Sequence, residues 1–177
     1  LPHPTITKPP KTSQGFDGAA TPEQWAKGLP PFDVTYDEGA MVGYKWYEAK
    51  HKPVLFPFGF GLSYTTYAYS GLKVTSGDTV QASFTIANTG VRSGSEIAEV
   101  YANLPSAAGE SYKRLVGFTK VKLEPKEKKT VTVDIDRKYL SIFDEQKDGW
   151  SLLPGEYTLY VGGSSDKLPL KTTISLQ

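Results

Sequence analysis

Val80-Gln81-Ala82-Ser83-Phe84-Thr85-Ile86 alternates apolar and polar residues without a break. Period-two spacing puts Val80, Ala82, Phe84 and Ile86 on one face of an extended strand. Asn88-Thr89-Gly90 ends it as a turn. Farther along, Thr130-Val131-Thr132-Val133-Asp134-Ile135 alternates in the same way, burying Val131, Val133 and Ile135. Tyr157, Leu159 and Val161 make the inward face of a late strand, and Thr173-Ile174-Ser175-Leu176 closes the chain. Leu72-Lys73-Val74, Ile97 to Asn103 and Lys113 to Leu123 supply further strands. The last of these has Leu115, Phe118, Val121 and Leu123 as its apolar content and Gly117 as a bulge position. Ser76-Gly77-Asp78 and Glu124-Pro125-Lys126-Glu127 are turns, and residues 136–143 read as a crossover with one helical turn. Short alternating strands separated by Gly, Pro and Asn turns predict an antiparallel two-sheet β-sandwich. Alternation means that one face of each strand is solvated, which parallel sheets rarely allow.

Upstream the pattern changes. Pro53-Val54-Leu55-Phe56-Pro57-Phe58-Gly59-Phe60-Gly61-Leu62-Ser63-Tyr64-Thr65 packs aromatics, prolines and glycines into a hinge. Pro57 fixes its own φ and biases Phe56 towards extended geometry. So much apolar surface is unsuited to a free linker, and the segment is expected to be pinned between two packed bodies. Residues 1–31 are rich in Pro, Gly, Thr and Lys and read as an extended arm. Their one helical hint is Thr21 to Gly28, with Thr21 as cap, Pro22 at the first position and Gly28 as stop. The expected organisation is an arm, a domain tail and a linker over 1–66, followed by a β-sandwich over 67–177.

The motifs around the hinge carry a family resemblance. Tyr36-Asp37-Glu38-Gly39 and Val42-Gly43-Tyr44-Lys45-Trp46-Tyr47, followed by the hinge, resemble the late part of family 3 glycoside hydrolases. Asn88-Thr89-Gly90, Leu115-Val116-Gly117-Phe118 and Pro154-Gly155-Glu156-Tyr157 are similar to the fibronectin type III-like domain of the same family. The resemblance covers nearly the whole chain from about Phe32. Lys45 stands where Arg is commoner in the motif, which would weaken a planar two-pronged contact. The resemblance implies a mostly β chain, an immunoglobulin/fibronectin III-like sandwich preceded by an extended arm and linker. It also implies a parent enzyme that is retaining and exo-acting on β-linked sugars, β-glucosidase ahead of β-xylosidase.

The family's aspartate nucleophile lies in a Ser-Asp-Trp-type motif of a TIM barrel, and its acid/base glutamate in an upstream α/β sandwich domain. Neither motif occurs here. The resemblance therefore implies no catalytic residue in this chain. It implies a non-catalytic module that braces the catalytic domains, and the parent as hydrolase of terminal non-reducing β-D-glycosyl residues. Tyr36, Glu38, Tyr44, Phe56, Pro57, Phe58, Phe60 and Tyr64 would face those domains. The expected partners are the TIM-barrel and α/β sandwich domains, a glycoside substrate through the parent, and a second copy in a homodimer.

The residues themselves agree about catalysis. Glycoside hydrolysis needs two carboxyl groups flanking one bond, about 5 to 5.5 Å apart in retaining enzymes. Candidate pairs are Asp37 with Glu38, Asp134 with Asp136, Asp144 with Glu145, and Glu96 with Glu99. Asp37 and Glu38 point to opposite faces of an extended segment, and Asp134 with Asp136 share the solvated face of their strand. The only histidines are His3 and His51, and His51 sits between two lysines, the wrong charge for a triad base. Trp46, Trp25 and Trp150, the last read in a loop after Asp148-Gly149, offer flat faces on which a sugar would stack, and an alternative reading is a stand-alone carbohydrate-binding module using such exposed aromatics. Tyr101, Tyr112 and Tyr160 are weaker members of the same set.

The chain has 177 residues, a formal net charge of +1 and no cysteine. Interspersed charges favour neither nucleic acid nor a membrane surface as partner. Disulfides and thiolate metal sites are excluded, and no cofactor is expected. No signal peptide pattern opens the chain, so an exported protein, periplasmic or secreted, would carry its signal upstream.

Overall fold

Antiparallel pairing of alternating strands builds this protein, as the period-two pattern requires. The computed structural model describes residues 5–6, 34–35, 38–77 and 79–177. The chain divides into two units, Leu1–Trp46 and Tyr47–Gln177. In the first, the backbones of β1 (Thr5–Ile6) and β2 (Val34–Thr35) pair antiparallel. A turn at 38–40 precedes the short helix α1 (Tyr44–Ala49), which runs into the second unit. The helical hint at 21–28 lies outside the described residues.

The second unit contains β3 (Tyr67–Ser76), β4 (Val80–Asn88), β5 (Gly94–Asn103), β6 (Arg114–Leu123), β7 (Lys128–Ile135), β8 (Ile142–Asp144), β9 (Gly149–Ser151), β10 (Gly155–Gly162) and β11 (Leu170–Leu176). One sheet has the order β3-β4-β7 and the other β11-β10-β5-β6. All the pairings are antiparallel. This is the two-sheet sandwich, with a short hairpin, β8–β9, added to it. Arg137–Leu140, in the expected crossover, is a single 3-10 turn capped by Asp136, whose carboxylate accepts from the Lys138 amide at 2.8 Å.

The core lies between the sheets. Val80, Ala82, Phe84 and Ile86 are fully buried, beside Val133 and Ile135 of their own sheet and in one cluster with Val100, Ala102, Leu123, Leu159 and Val161 of the other. Phe84 pairs with Val131 and Val80 with Ile135 across the β4–β7 ladder, so register keeps apolar residues on the inner face. Tyr157 is fully buried at the start of β10, and its hydroxyl donates to the Leu153 carbonyl at 2.7 Å. That four-residue reach back along the chain is the tyrosine corner common in such sandwiches.

Three expectations need correcting. Phe118 is exposed and Val116 is buried in the core. The cause is a bulge: Val100 pairs with Gly117 but Tyr101 with Leu115, so Val116 is the extra residue and the alternation is reset. Gly117 faces β7 at this point, where a Cβ would stand 2.6 Å from Val133 Cγ1. Trp150 belongs to β9 and not to a loop, paired with Phe143 of β8. Asn88, read as a turn residue, is the buried last residue of β4. Its side chain accepts from the Thr65 hydroxyl at 2.5 Å and the Gly90 amide at 3.0 Å, and donates to the Arg92 and Leu123 carbonyls.

Phe84→Ala is expected to cost about 3–5 kcal/mol in urea unfolding, the usual loss for a fully buried phenylalanine. Asn88→Ala is expected to cost about 1–3 kcal/mol by the same measurement, since it strands the Thr65 hydroxyl and three backbone groups.

Candidate functional site

Residues 47–66 form a strap over the outer face of the four-stranded sheet. Glu48 of α1 pairs with the Lys113 ammonium and accepts from the Lys113 amide at 3.2 Å. The chain then turns at Pro57–Phe60, with the Phe60 amide donating to the Pro57 carbonyl at 3.0 Å. Gly59 takes the third position of this turn with φ +82°, a conformation suited to glycine. The Ser165 amide donates to the Phe58 carbonyl at 2.8 Å, tying the turn to the loop between β10 and β11. Thr66 accepts from the Thr89 amide at 2.8 Å, where the strap becomes β3.

Backbone is thus held down while side chains project outward. Leu55, Leu62 and Tyr64 are 92 %, 95 % and 91 % exposed, and Phe56, Phe58 and Phe60 are exposed as well. Phe56 and Phe60 pack on each other with ring centroids 5.1 Å apart. Pro57 is half-buried beneath them. This crest is a run of large apolar groups that the described residues do not cover.

Under the strap lies a polar cluster that the sequence did not reveal. Glu99 points to the outer face of β5 and is only 5 % exposed. It accepts from the Tyr101 hydroxyl at 2.7 Å, and Gly59 lies against its carboxylate. Glu96, facing the other sheet, accepts from the Tyr69 hydroxyl at 2.7 Å. Burial pushes both carboxyls above the ordinary range; each tyrosine bond partly offsets this, and the nearby Glu96 raises Glu99 further. Burial and the Glu96 carboxylate hold the Tyr69 phenol far above its usual pKa. An open cavity of about 600 Å³ borders the cluster, lined by Phe60, Leu62, Tyr67, Glu96, Lys167 and Pro169.

No catalytic pair emerges from the candidate carboxylates. Glu96 and Glu99 lie on opposite faces of β5 and each is engaged by a tyrosine. Asp134 is exposed and accepts from Gln81 at 2.7 Å, while Asp136 caps a turn. Asp144 pairs with Lys147 at 3.1 Å, which holds its carboxyl below the usual range. Glu38 is half-buried in the turn at 38–40, and Asp37 lies outside the described residues. His51 is an exposed turn residue with φ +50°. Among the described residues, no cluster of three or more His, Asp or Glu is placed to hold a metal ion.

The candidate sugar-stacking residues scatter. Trp46 and Tyr44 are half-buried in α1, and Trp25 and Tyr36 lie outside the described residues. Trp150 is 53 % exposed, with the edge of Phe143 against it at 5.8 Å and the Lys138 ammonium over its ring at 5.2 Å. Tyr101 and Tyr112 are buried, so neither is a surface platform. Sequence reasoning missed the Tyr69–Glu96 and Tyr101–Glu99 pairs. The i, i+2 spacing of Glu99 and Tyr101 put them on one face, but only the fold joins Tyr69 to Glu96.

Known proteins share this architecture. Residues 96–165 match the fibronectin type III-like domain. The chain is 40% identical over 151 residues to beta-glucosidase B of Emericella nidulans, covering 82% of this chain and 18% of that protein. It is 37% identical over 148 residues to an exo-alpha-(1->6)-L-arabinopyranosidase of Bifidobacterium breve, covering 81% and 19% respectively. Among solved structures, DesR, a beta-glucosidase from Streptomyces venezuelae, superposes with a TM-score of 0.75 at 38% identity, over 81% of this chain and 19% of that one. The chain thus spans about a fifth of the length of the relatives it matches.

Tyr69→Phe removes the hydroxyl that donates to Glu96 while keeping the ring that packs on Phe84. The Glu96 carboxyl is expected to titrate still higher, read from its side-chain carbon resonance. Stability should fall by about 1–3 kcal/mol at neutral pH and by less at pH 4, where a protonated Glu96 leaves no buried charge.

Proposed function

This chain corresponds to the C-terminal region of family 3 glycoside hydrolases, fibronectin type III-like domain included, and on that premise we propose that it is a non-catalytic brace for the parent enzyme's catalytic domains. The observation that carries this reading is the crest of Leu55, Phe56, Phe58, Phe60, Leu62 and Tyr64, exposed on a backbone hydrogen-bonded to loops of the sandwich. An apolar run of this kind, displayed on a held backbone, is what a domain contact requires. The scattered and individually engaged carboxylates support the assignment of catalysis to the rest of the parent.

The parent reaction is hydrolysis of a terminal non-reducing β-D-glycosyl residue, with glucose as the first sugar to test. Relatives named for glucose and for arabinopyranose match this region about equally well, which is consistent with sugar choice being made elsewhere. The parent is expected to act outside the cytoplasm, in the periplasm or medium.

The test pairs this chain with the upstream four-fifths of a related β-glucosidase, expressed without its own C-terminal region. The chain alone should leave aryl β-glucosides intact, and added to the truncated enzyme it should raise thermal stability and activity together. Replacing Phe56, Phe58, Leu62 and Tyr64 by Ser should abolish that rescue while the sandwich keeps its circular dichroism. Turnover by the chain alone, or rescue unaffected by the four substitutions, would overturn the reading. Retardation of the chain in a gel containing soluble glucan, lost in Trp150→Ala, would favour a carbohydrate-binding module instead.

A further inference from the structure

Glu99 is a carboxyl group sealed under a backbone. It projects from the outer face of β5, yet the Pro57–Phe60 turn shuts it from water so closely that a Cβ on Gly59 would stand 2.5 Å from Glu99 Oε2. A side chain there would have to displace the Glu99 carboxylate, and the φ of +82° itself favours glycine. A hydrogen bond from the Ser165 amide to the Phe58 carbonyl, 2.8 Å long, also ties the turn down.

We infer that Glu99 is a proton-dependent latch for the strap: neutral, it lets the Phe58-Gly59 turn seat on the sheet, and ionised, it loosens that seat. The physical reason is desolvation. A neutral carboxyl fits a closed apolar space, whereas a carboxylate there loses its hydration and regains one tyrosine bond.

The surroundings do not neutralise the charge. On β5 itself, Tyr101 shares the face of Glu99 and donates to it, while Glu96 repels its carboxylate from the opposite face. From β3, Tyr69 is taken up by Glu96. From the loop before β11, Lys167 acts on Glu96 and favours its charged form. On the neighbouring strands Gly162 of β10 and Phe118 of β6 stand opposite Glu99, and neither titrates. The strap contributes Gly59, which has no side chain.

The sign follows from the raised carboxyl. A group bound more tightly to its proton when folded stabilises fully at acid pH, and that contribution is lost as pH rises through its folded pKa. Acidification therefore tightens the strap and fixes the apolar crest. The latch depends on the bracing role only for its consequence; it is tested within this chain, so either idea can fail alone.

The measurement is hydrogen exchange of the Ser165 amide between pH 5 and 8, corrected for the intrinsic rate. In the wild type, protection should fall by up to about tenfold per pH unit between the Glu99 pKa of the open strap and that of the seated strap, and level off above the latter. In Glu99→Gln, always neutral and still able to accept from Tyr101, protection should stay flat. In Glu96→Gln the drop should persist with its midpoint moved to lower pH, since a repelling charge is gone. Tyr101→Phe should move the midpoint to higher pH by removing the donor to the carboxylate. Flat protection in the wild type, or a drop that survives Glu99→Gln, would overturn the latch. So would a response abolished by Glu96→Gln alone.

Discussion

Everything in the second unit depends on covering β5 from both sides. Its inner face, Ala98, Val100 and Ala102, meets the three-stranded sheet in the core. Its outer face carries Glu99 and Tyr101, which are buried as deeply although they lie outside the sandwich. An exposed sheet face would leave these two in water. The strap excludes that water, and its glycine turn lets main chain approach where a side chain would clash.

This constraint divides the strap into two surfaces with different roles. One side is tied to the sandwich, through the Phe58 carbonyl and the Glu48 carboxylate on Lys113. Side chains face away, as the exposed Leu55, Phe56, Leu62 and Tyr64. A flexible linker would bury its phenylalanines against its own domain. Here the hydrogen-bonded turn keeps them displayed, which lowers the entropy lost when another surface covers them.

Asn88, Glu96 and Glu99 share one logic. Asn88 has each side-chain atom paired, and Glu96 and Glu99 each have a tyrosine hydroxyl. Paired groups of this kind fix register and geometry at modest cost, and removing a partner is expensive because the remaining atom has no water. Asn88 joins the strap to the β4 end through Thr65, so the seat of the strap and the edge of the core are fixed together.

The sandwich itself was legible in the chain because strand alternation is a local property. Val80 to Ile86, Val131 to Ile135 and Tyr157 to Val161 each state their inner face by period two, and the folded protein buries those faces. The hinge motif and its resemblance to family 3 enzymes were equally local, being carried by contiguous residues. What the tertiary structure decided is every feature that depends on a second strand. The bulge at Val116 turned Phe118 outward because register with β5 shifts there. Glu96 met Tyr69 across two sheets, and Trp150 gained a strand partner in Phe143. Burial of Glu99 came from a segment forty residues upstream, whose place on the sheet no periodicity in either stretch encodes, because burial of an outer face is a property of two surfaces and not of one sequence.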